Sequence, residues 1–213
     1  MSLADLSVAL GRKFARLATN AVVGRPGLWK VFRGPIRKQF DSLAPRWDAM
    51  RSDDAFAPLE RALDAIRTPP ARVLDLGTGT GLAAFLVARR FPEAEVVGAD
   101  VSDRMIEEAR MHTPTELAGR VHFEQRDASQ LPYEGGAFEL ITLANMIPFF
   151  DELARVTARG GSVVFSFSSG PETPIWVPPE KLRSELAVRG FTDFAEFEAD
   201  GGTALLARKG GGG

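Results

Sequence analysis

The 213-residue chain contains no cysteine, which excludes disulfides, thiolate metal sites and cysteine nucleophiles, and with them a disulfide-dependent secreted scaffold. Histidine is scarce as well. Only His112 and His122 offer imidazole, so a structural zinc site has no support and no metal is expected. His122 falls in VHFEQRD, read as a third strand, and is expected to be packed or hydrogen-bonded rather than a ligand. The single tyrosine is Tyr133. No run approaches the roughly 18 apolar residues that span a bilayer. Arg12, Lys13 and Arg16 break the one amino-terminal apolar stretch before it reaches the length of a secretory-signal core. An organellar transit peptide matches the basic, acid-poor composition of that stretch, but nothing marks a cleavage site, and a cytoplasmic protein is the default expectation.

What is present suits one soluble domain: 45% hydrophobic and 25% charged residues in a chain long enough to bury a substantial core. The net charge of -2 hides a strong asymmetry. Residues 1–46 carry nine Lys or Arg against Asp5 and Asp41, a balance of +7 that leaves -9 for the remainder. In this arm Leu6, Leu10, Phe14 and Leu17 recur at helical spacing, residues 24–27 interrupt, and Leu28, Trp29, Val31, Phe32 and Ile36 alternate with bases. A helical cover with a solvated basic face is expected. The alternative is peripheral contact with an anionic membrane or an acidic lipophilic acceptor. Nucleic acid is not an expected partner, because the chain is slightly acidic overall and no recognition motif accompanies the arm.

The richest stretch is VLDLGTGTG, residues 73–81, in which a buried-strand signal runs into a glycine turn with Asp75 set two residues before the first glycine. Leu82, Phe85, Leu86 and Arg89 follow at helical spacing, giving strand, tight turn and helix. Glycine lets a ligand lie against the backbone and permits positive φ. Gly79, Gly81 and Ala84 also satisfy the dinucleotide pattern G-x-G-x-x-G/A, with Asp100 about 20 residues on, so an NAD-dependent enzyme stays open as a competitor. Asp75 weighs against it, since a carboxylate at that mouth repels pyrophosphate and attracts an ammonium.

Several ordered segments resemble the class I S-adenosylmethionine-dependent methyltransferases, especially the small-molecule group that includes the quinone-biosynthesis C-methyltransferases. They are VLDLGTGTG, VVGADVS ending at Asp100 and Val101, QRDASQLPYEGGAFELI with Asp127, and FFDELARVTARGGSVVFSF covering a helix, a glycine turn and a fifth strand. Ala158-Arg159-Gly160-Gly161 stands where the family commonly has Lys-Pro-Gly-Gly. The resemblance spans residues 40–209. It implies S-adenosyl-L-methionine as cofactor and a Rossmann-like methyltransferase fold: an α/β, doubly wound seven-stranded sheet, mostly parallel, in the order 3-2-1-4-5-7-6 with an antiparallel carboxy-terminal hairpin. Independently of it, the apolar runs near Val73, Val96, Val121, Phe138 and Val163, with helical patterns between them, read as alternating βα units. Residues 1–48 are expected to form the helical arm or lid, 49–209 the cofactor-binding domain and 210–213 a flexible glycine tail.

The resemblance assigns the loop residues Gly77, Thr78, Gly79 and Gly81 to the cofactor, with Asp75 on its ammonium directly or through water. Asp100 is expected to accept from both ribose hydroxyls. Asp127 takes the adenine amino group and the Ala128 N–H a ring nitrogen, while Val101 and Met105 pack on the adenine face. Asn145 lines the methyl-transfer point or simply forms a turn. Met146 begins the acceptor side, and Phe40 and Trp47 stand where the family has aromatic lid residues. Asn145-Met146-Ile147-Pro148 lacks the Asn/Asp-Pro-Pro-aromatic signature of amino-group methyltransferases. A small-molecule acceptor is therefore expected. No Tyr, His or Asp constellation stands out as a base, so no catalytic residue is named; a protein of this fold that binds cofactor without turnover is the alternative.

Overall fold

The computed structural model describes residues 3–52 and 54–211, residues 3–9 by backbone alone. Leu6 of the expected apolar stripe, as a side chain, and Gly212 and Gly213 of the tail lie outside the described residues. The chain opens with α1 (Leu3–Gly24) and α2 (Trp29–Leu43), then passes through short 3-10 turns to α3 (Ala57–Asp64). There follow β1 (Arg72–Leu76), α4 (Leu82–Arg90), β2 (Glu95–Asp100), α5 (Asp103–Met111), β3 (Val121–Gln125), β4 (Phe138–Ala144), α6 (Phe150–Val156) and β5 (Thr157–Phe167). Helix α7 (Pro179–Ala187) and the hairpin β6 (Phe191–Ala199) and β7 (Gly202–Lys209) complete the fold. The sheet order is β3-β2-β1-β4-β5-β7-β6, with β7 antiparallel to both neighbours.

The sequence explains these elements locally. Strand β1 is nearly continuous in apolar character because it is central and parallel, covered on both faces. Ser102 caps α5 by accepting from the Met105 N–H at 3.2 Å, and Pro179 occupies the first turn of α7, where a missing N–H costs nothing. Alternation along β1 and β4 sorts the core into two layers. Leu74, Ile141 and Phe165 face one side, where α6 and α7 pack, while Val73, Leu140 and Val164 face α3 and α4.

The arm shares the first of these layers: Ala18, Val22, Trp29 and Ile36 are buried in the same cluster as Ile141 and Phe165. The expected α1 stripe is corrected in part: Phe14 packs against the core, but Leu10 and Leu17 are 58% and 61% exposed, and the helix buries Ala18, Thr19 and Val22. On α2 Trp29 and Ile36 face inward and Val31 outward. His122 is also corrected. Its side chain is 55% exposed on β3, with Nε2 3.7 Å from the Glu95 carboxylate. Gly210, expected in a free tail, donates its N–H to the Gly190 carbonyl at 2.8 Å.

Candidate functional site

The parallel strands β1, β2 and β4 end together at the edge where the strand order reverses, the place at which open α/β sheets bind ligands. A cavity of about 610 Å³ lies there, roofed by the arm. The Gly77–Gly81 turn forms one wall. It is pinned to the end of β2, with the Gly77 and Thr78 N–H groups both donating to the Ala99 carbonyl at 2.8 and 3.1 Å. Gly77 and Gly79 have φ of +68° and +55°, in the left-handed region that a side chain resists. A Cβ on Gly77 would stand 2.8 Å from Cγ of Met146, so the expected acceptor-side methionine lies directly over the turn.

Asp100 projects from the end of β2 into the cavity. Its Oδ2 accepts from the Gly79 N–H at 3.0 Å and its Oδ1 from the Ser102 N–H at 2.9 Å, leaving each oxygen further lone-pair capacity for a ligand. Burial raises its pKa, against those backbone hydrogen bonds. Val101, Met105 and Ala128 line the same side, and Thr78 and Gly79 face them. Phe40 and Trp47 both reach the cavity and meet edge to face, with ring centroids 5.3 Å apart. Asn145 is a turn residue on the cavity wall. It adopts φ +53° and is held by Oδ1 accepting from the Ser168 N–H at 3.0 Å.

Three expected contact residues do not line the cavity themselves. Gly81 is walled off from the cavity, because a Cβ there would meet the Phe123 ring at 2.7 Å; its glycine serves packing and the start of α4. Asp75 lies beneath the turn, 1% exposed. Register places it opposite Thr142 on β4, and the Thr142 hydroxyl donates to Oδ1 at 2.6 Å, while Oδ2 and the nearby Thr78 hydroxyl have no hydrogen-bond partner among the described residues. Burial pushes the Asp75 carboxyl up to about 6, with the Thr142 hydrogen bond opposing. Asp127 faces the arm. Its Oδ1 accepts from Trp29 Nε1 at 2.8 Å and from Ser129, and its Oδ2 pairs with Arg33 at 2.7 Å. Burial raises the Asp127 pKa, but the Arg33, Ser129 and Trp29 hydrogen bonds outweigh it and hold the carboxyl below its ordinary value. The expected adenine contact is therefore engaged by donors from α2.

Sequence reasoning missed the cations. Arg51 lines the cavity with its guanidinium over the Phe56 ring at 4.6 Å and near Trp47 at 5.9 Å, and it forms no ion pair among the described residues. Burial lowers its pKa against the attraction of Asp48 and Asp75. Nothing in RWDAMRSDD distinguishes Arg51 from a surface base, because its partners are rings and acids brought in by the turns after α2. Asp48 accepts from the Thr80 hydroxyl at 2.5 Å and fastens those turns to the glycine loop. Further along the arm, Asp41 accepts from the Ser102 hydroxyl at 2.6 Å and Arg37 pairs with Asp103. Helix α2 thus covers the cofactor side, whereas α1 reaches the Gly170–Glu172 turn beyond β5. No cluster of His, Cys, Asp and Glu suited to a metal occurs among the described residues.

Residues 73–161 match the sequence profile of a family described as a methyltransferase domain. Demethylmenaquinone methyltransferase of Thermus thermophilus is 39% identical over 147 residues, covering 62% of this chain and 66% of that protein. Malonyl-[acyl-carrier protein] O-methyltransferase of Halorhodospira halophila is 36% identical over 153 residues, covering 67% of this chain and 50% of that protein. The chain spans between half and just under two thirds of the length of these two relatives. Among solved structures, the complex of the Haloferax volcanii Trm112 methyltransferase activator with a methyltransferase matches with a TM-score of 0.68 at 19% identity, over 83% of this chain and 98% of that one, which concerns the fold alone.

Proposed function

This chain belongs to the class I S-adenosylmethionine-dependent methyltransferases, and we propose that it transfers a methyl group from S-adenosyl-L-methionine to a small-molecule acceptor. The observation that carries this reading is the pair of opposite charges flanking the glycine turn: Asp75 below it, and Arg51 beside the cavity with no ion pair among the described residues. A zwitterionic amino acid moiety meets both, its ammonium toward Asp75 and its carboxylate toward Arg51. A pyrophosphate meets the wrong charge at Asp75. When bound, the cofactor supplies an electrophilic methyl group on a sulfonium whose carbon–sulfur electron pair returns to sulfur on transfer. The chain's own part is to hold and enclose. Asp100 accepts from the ribose, Met105 and Val101 pack on the base, and the Phe40–Trp47 pair with α2 excludes water, so that catalysis comes from orientation at near-attack distance.

The arm also supports a peripheral role for a cytoplasmic protein. Leu10, Leu17 and Val31 are exposed beside Lys13, Lys30 and Lys38, the combination that attaches a helix to an anionic lipid surface. No helix among the described residues is long and apolar enough to cross a membrane.

Calorimetric titration tests the assignment. S-adenosylmethionine and S-adenosylhomocysteine are expected to bind at micromolar affinity and NAD not to bind. Asp100→Ala is expected to lose about ten- to a hundredfold in affinity, the worth of a charge-assisted contact of roughly 1.5–3 kcal/mol, while remaining folded. NAD binding with no response to either adenosyl ligand overturns the reading. Radiolabelled methyl transfer into a cell extract, with the product identified by mass spectrometry, then reports the acceptor.

A further inference from the structure

The acceptor half of the cavity has a distinctive inventory. It lies at the carboxyl ends of β4 and β5, between α1 and the segment from Ser168 to Ile175, and its walls include the apolar Ile147, Phe149 and Ile175. Its polar groups are Asn145, Ser168, Ser169, Thr173 and the guanidinium of Arg12. One Nη of Arg12 donates to the Glu172 carbonyl at 2.8 Å, which fixes the side chain at the rim and leaves its other N–H groups for a ligand. Arg16, one turn on, donates to the Pro171 and Thr173 carbonyls at 2.8 and 2.7 Å and holds α1 in that place. Arg12 has no ion-pair partner among the described residues. Among the described residues the cavity lining contains one carboxylate, Asp100, already held by the glycine turn on the cofactor side, and no His, Tyr, Lys or Cys.

We infer that the acceptor is an apolar molecule bearing an ionised oxygen acid, a carboxylate or a phenolate, which binds beneath α1 with its charge against Arg12. This rests on the methyltransferase reading above. A neutral hydroxyl has a proton to lose, and the described residues of the acceptor half offer no group to take it. A protonated amine has the same need and meets the Arg12 guanidinium as a like charge. An ionised oxygen needs no base. Its lone pair forms the bond to the methyl carbon, the carbon–sulfur pair returns to sulfur, and no proton is displaced. The product is a neutral ester or ether that has lost its attraction to the guanidinium, which favours release.

The test uses the full chain saturated with S-adenosylhomocysteine at pH 8, titrated calorimetrically with sodium octanoate, 4-nitrophenolate, octylamine and 1-octanol. At least one of the two anions is expected to bind, and the preference between them distinguishes carboxylate from phenolate. Octylamine and octanol are expected to bind at least tenfold more weakly. Arg12→Ala should weaken the bound anion about tenfold with S-adenosylhomocysteine affinity unchanged, and Arg12→Lys should retain most of it. Amine or alcohol binding equal to that of the anions, no binding by any of the four, or an Arg12→Ala variant with unaltered anion affinity overturns the inference. Failure of S-adenosylhomocysteine to bind at the outset would instead strike the methyltransferase reading, so the two failures are separate.

Discussion

Trp29 and Asp127 are 98 positions apart, and the indole Nε1 of the first donates to the carboxylate of the second at 2.8 Å. The bond joins the first turn of α2 to the loop after β3. Trp29 is 7% exposed and its ring packs edge to face on Phe149, with centroids 5.3 Å apart, so the contact is sheltered from water. The Arg33 pair on the other oxygen is weaker support, because that side chain is 53% exposed and its attraction is screened. Asp127 therefore acts as the peg on which the arm closes over the cavity.

Removing the peg should free the arm before it disturbs the sheet. Asp127→Asn and Trp29→Phe are each expected to cost about 1–2 kcal/mol, the worth of a sheltered hydrogen bond to a charged acceptor, and to speed amide exchange in α2 while β1 and β4 stay protected. Affinity for S-adenosylhomocysteine should fall only a few-fold in both variants. A loss of a hundredfold or more in Asp127→Asn, without a matching loss in Trp29→Phe, would show that the carboxylate contacts the adenine instead.

Asp75 gives a pH signature of definite sign. Its carboxyl is raised to about 6 by burial, so between about pH 4 and 6 the folded chain holds a proton that the unfolded chain has released. Ligand-free stability consequently declines as pH rises through that window, by about 3 kcal/mol at most, and Asp75→Asn flattens the decline. A bound ammonium reverses the preference, since it favours the ionised carboxylate. Affinity for S-adenosylhomocysteine is thus expected to increase from pH 5 to pH 7.5 in the wild type and to be flatter in Asp75→Asn. Thermal shifts at the two pH values, with and without the ligand, measure both effects; equal wild-type affinity at both would remove Asp75 from the site.

The strands and the final hairpin were legible because each carries a local signal: apolar runs at Val73, Val96 and Val163, prolines ahead of α7, and Gly201-Gly202 between β6 and β7. The place of Gly77, Gly79 and Asp100 in the cavity wall was legible for the same reason, being set by the strand-turn-helix units themselves. The bond between Asp127 and the arm was not legible, since no pattern near QRDAS reveals that an indole from α2 meets it. Gly81 misled in another way. Its glycine satisfies a ligand-binding pattern, yet the space beside it belongs to Phe85 and Phe123. The α1 stripe held only at Phe14, because a helix packed closely on a sheet-and-helix layer uses its small residues Ala18 and Val22, leaving Leu10 and Leu17 outside.

Arg51 offers the sharpest test of the charge arrangement at the turn. Its guanidinium is stacked on Phe56, so removing the whole side chain would confound lost packing with lost charge. Arg51→Met keeps an apolar stem against the ring and deletes only the cation. S-adenosylhomocysteine carries a carboxylate, whereas 5′-methylthioadenosine shares its nucleoside and thioether but lacks the amino acid moiety. The variant is expected to bind S-adenosylhomocysteine about ten- to a hundredfold more weakly, in keeping with roughly 1.5–3 kcal/mol for a charge-assisted contact, and to bind methylthioadenosine as the wild type does. Arg51→Lys should recover part of the loss, because it restores the charge without the planar stacking that fixes the guanidinium. Equal weakening toward both ligands would instead assign Arg51 to the shape of the cavity wall, and the carboxylate would need another partner.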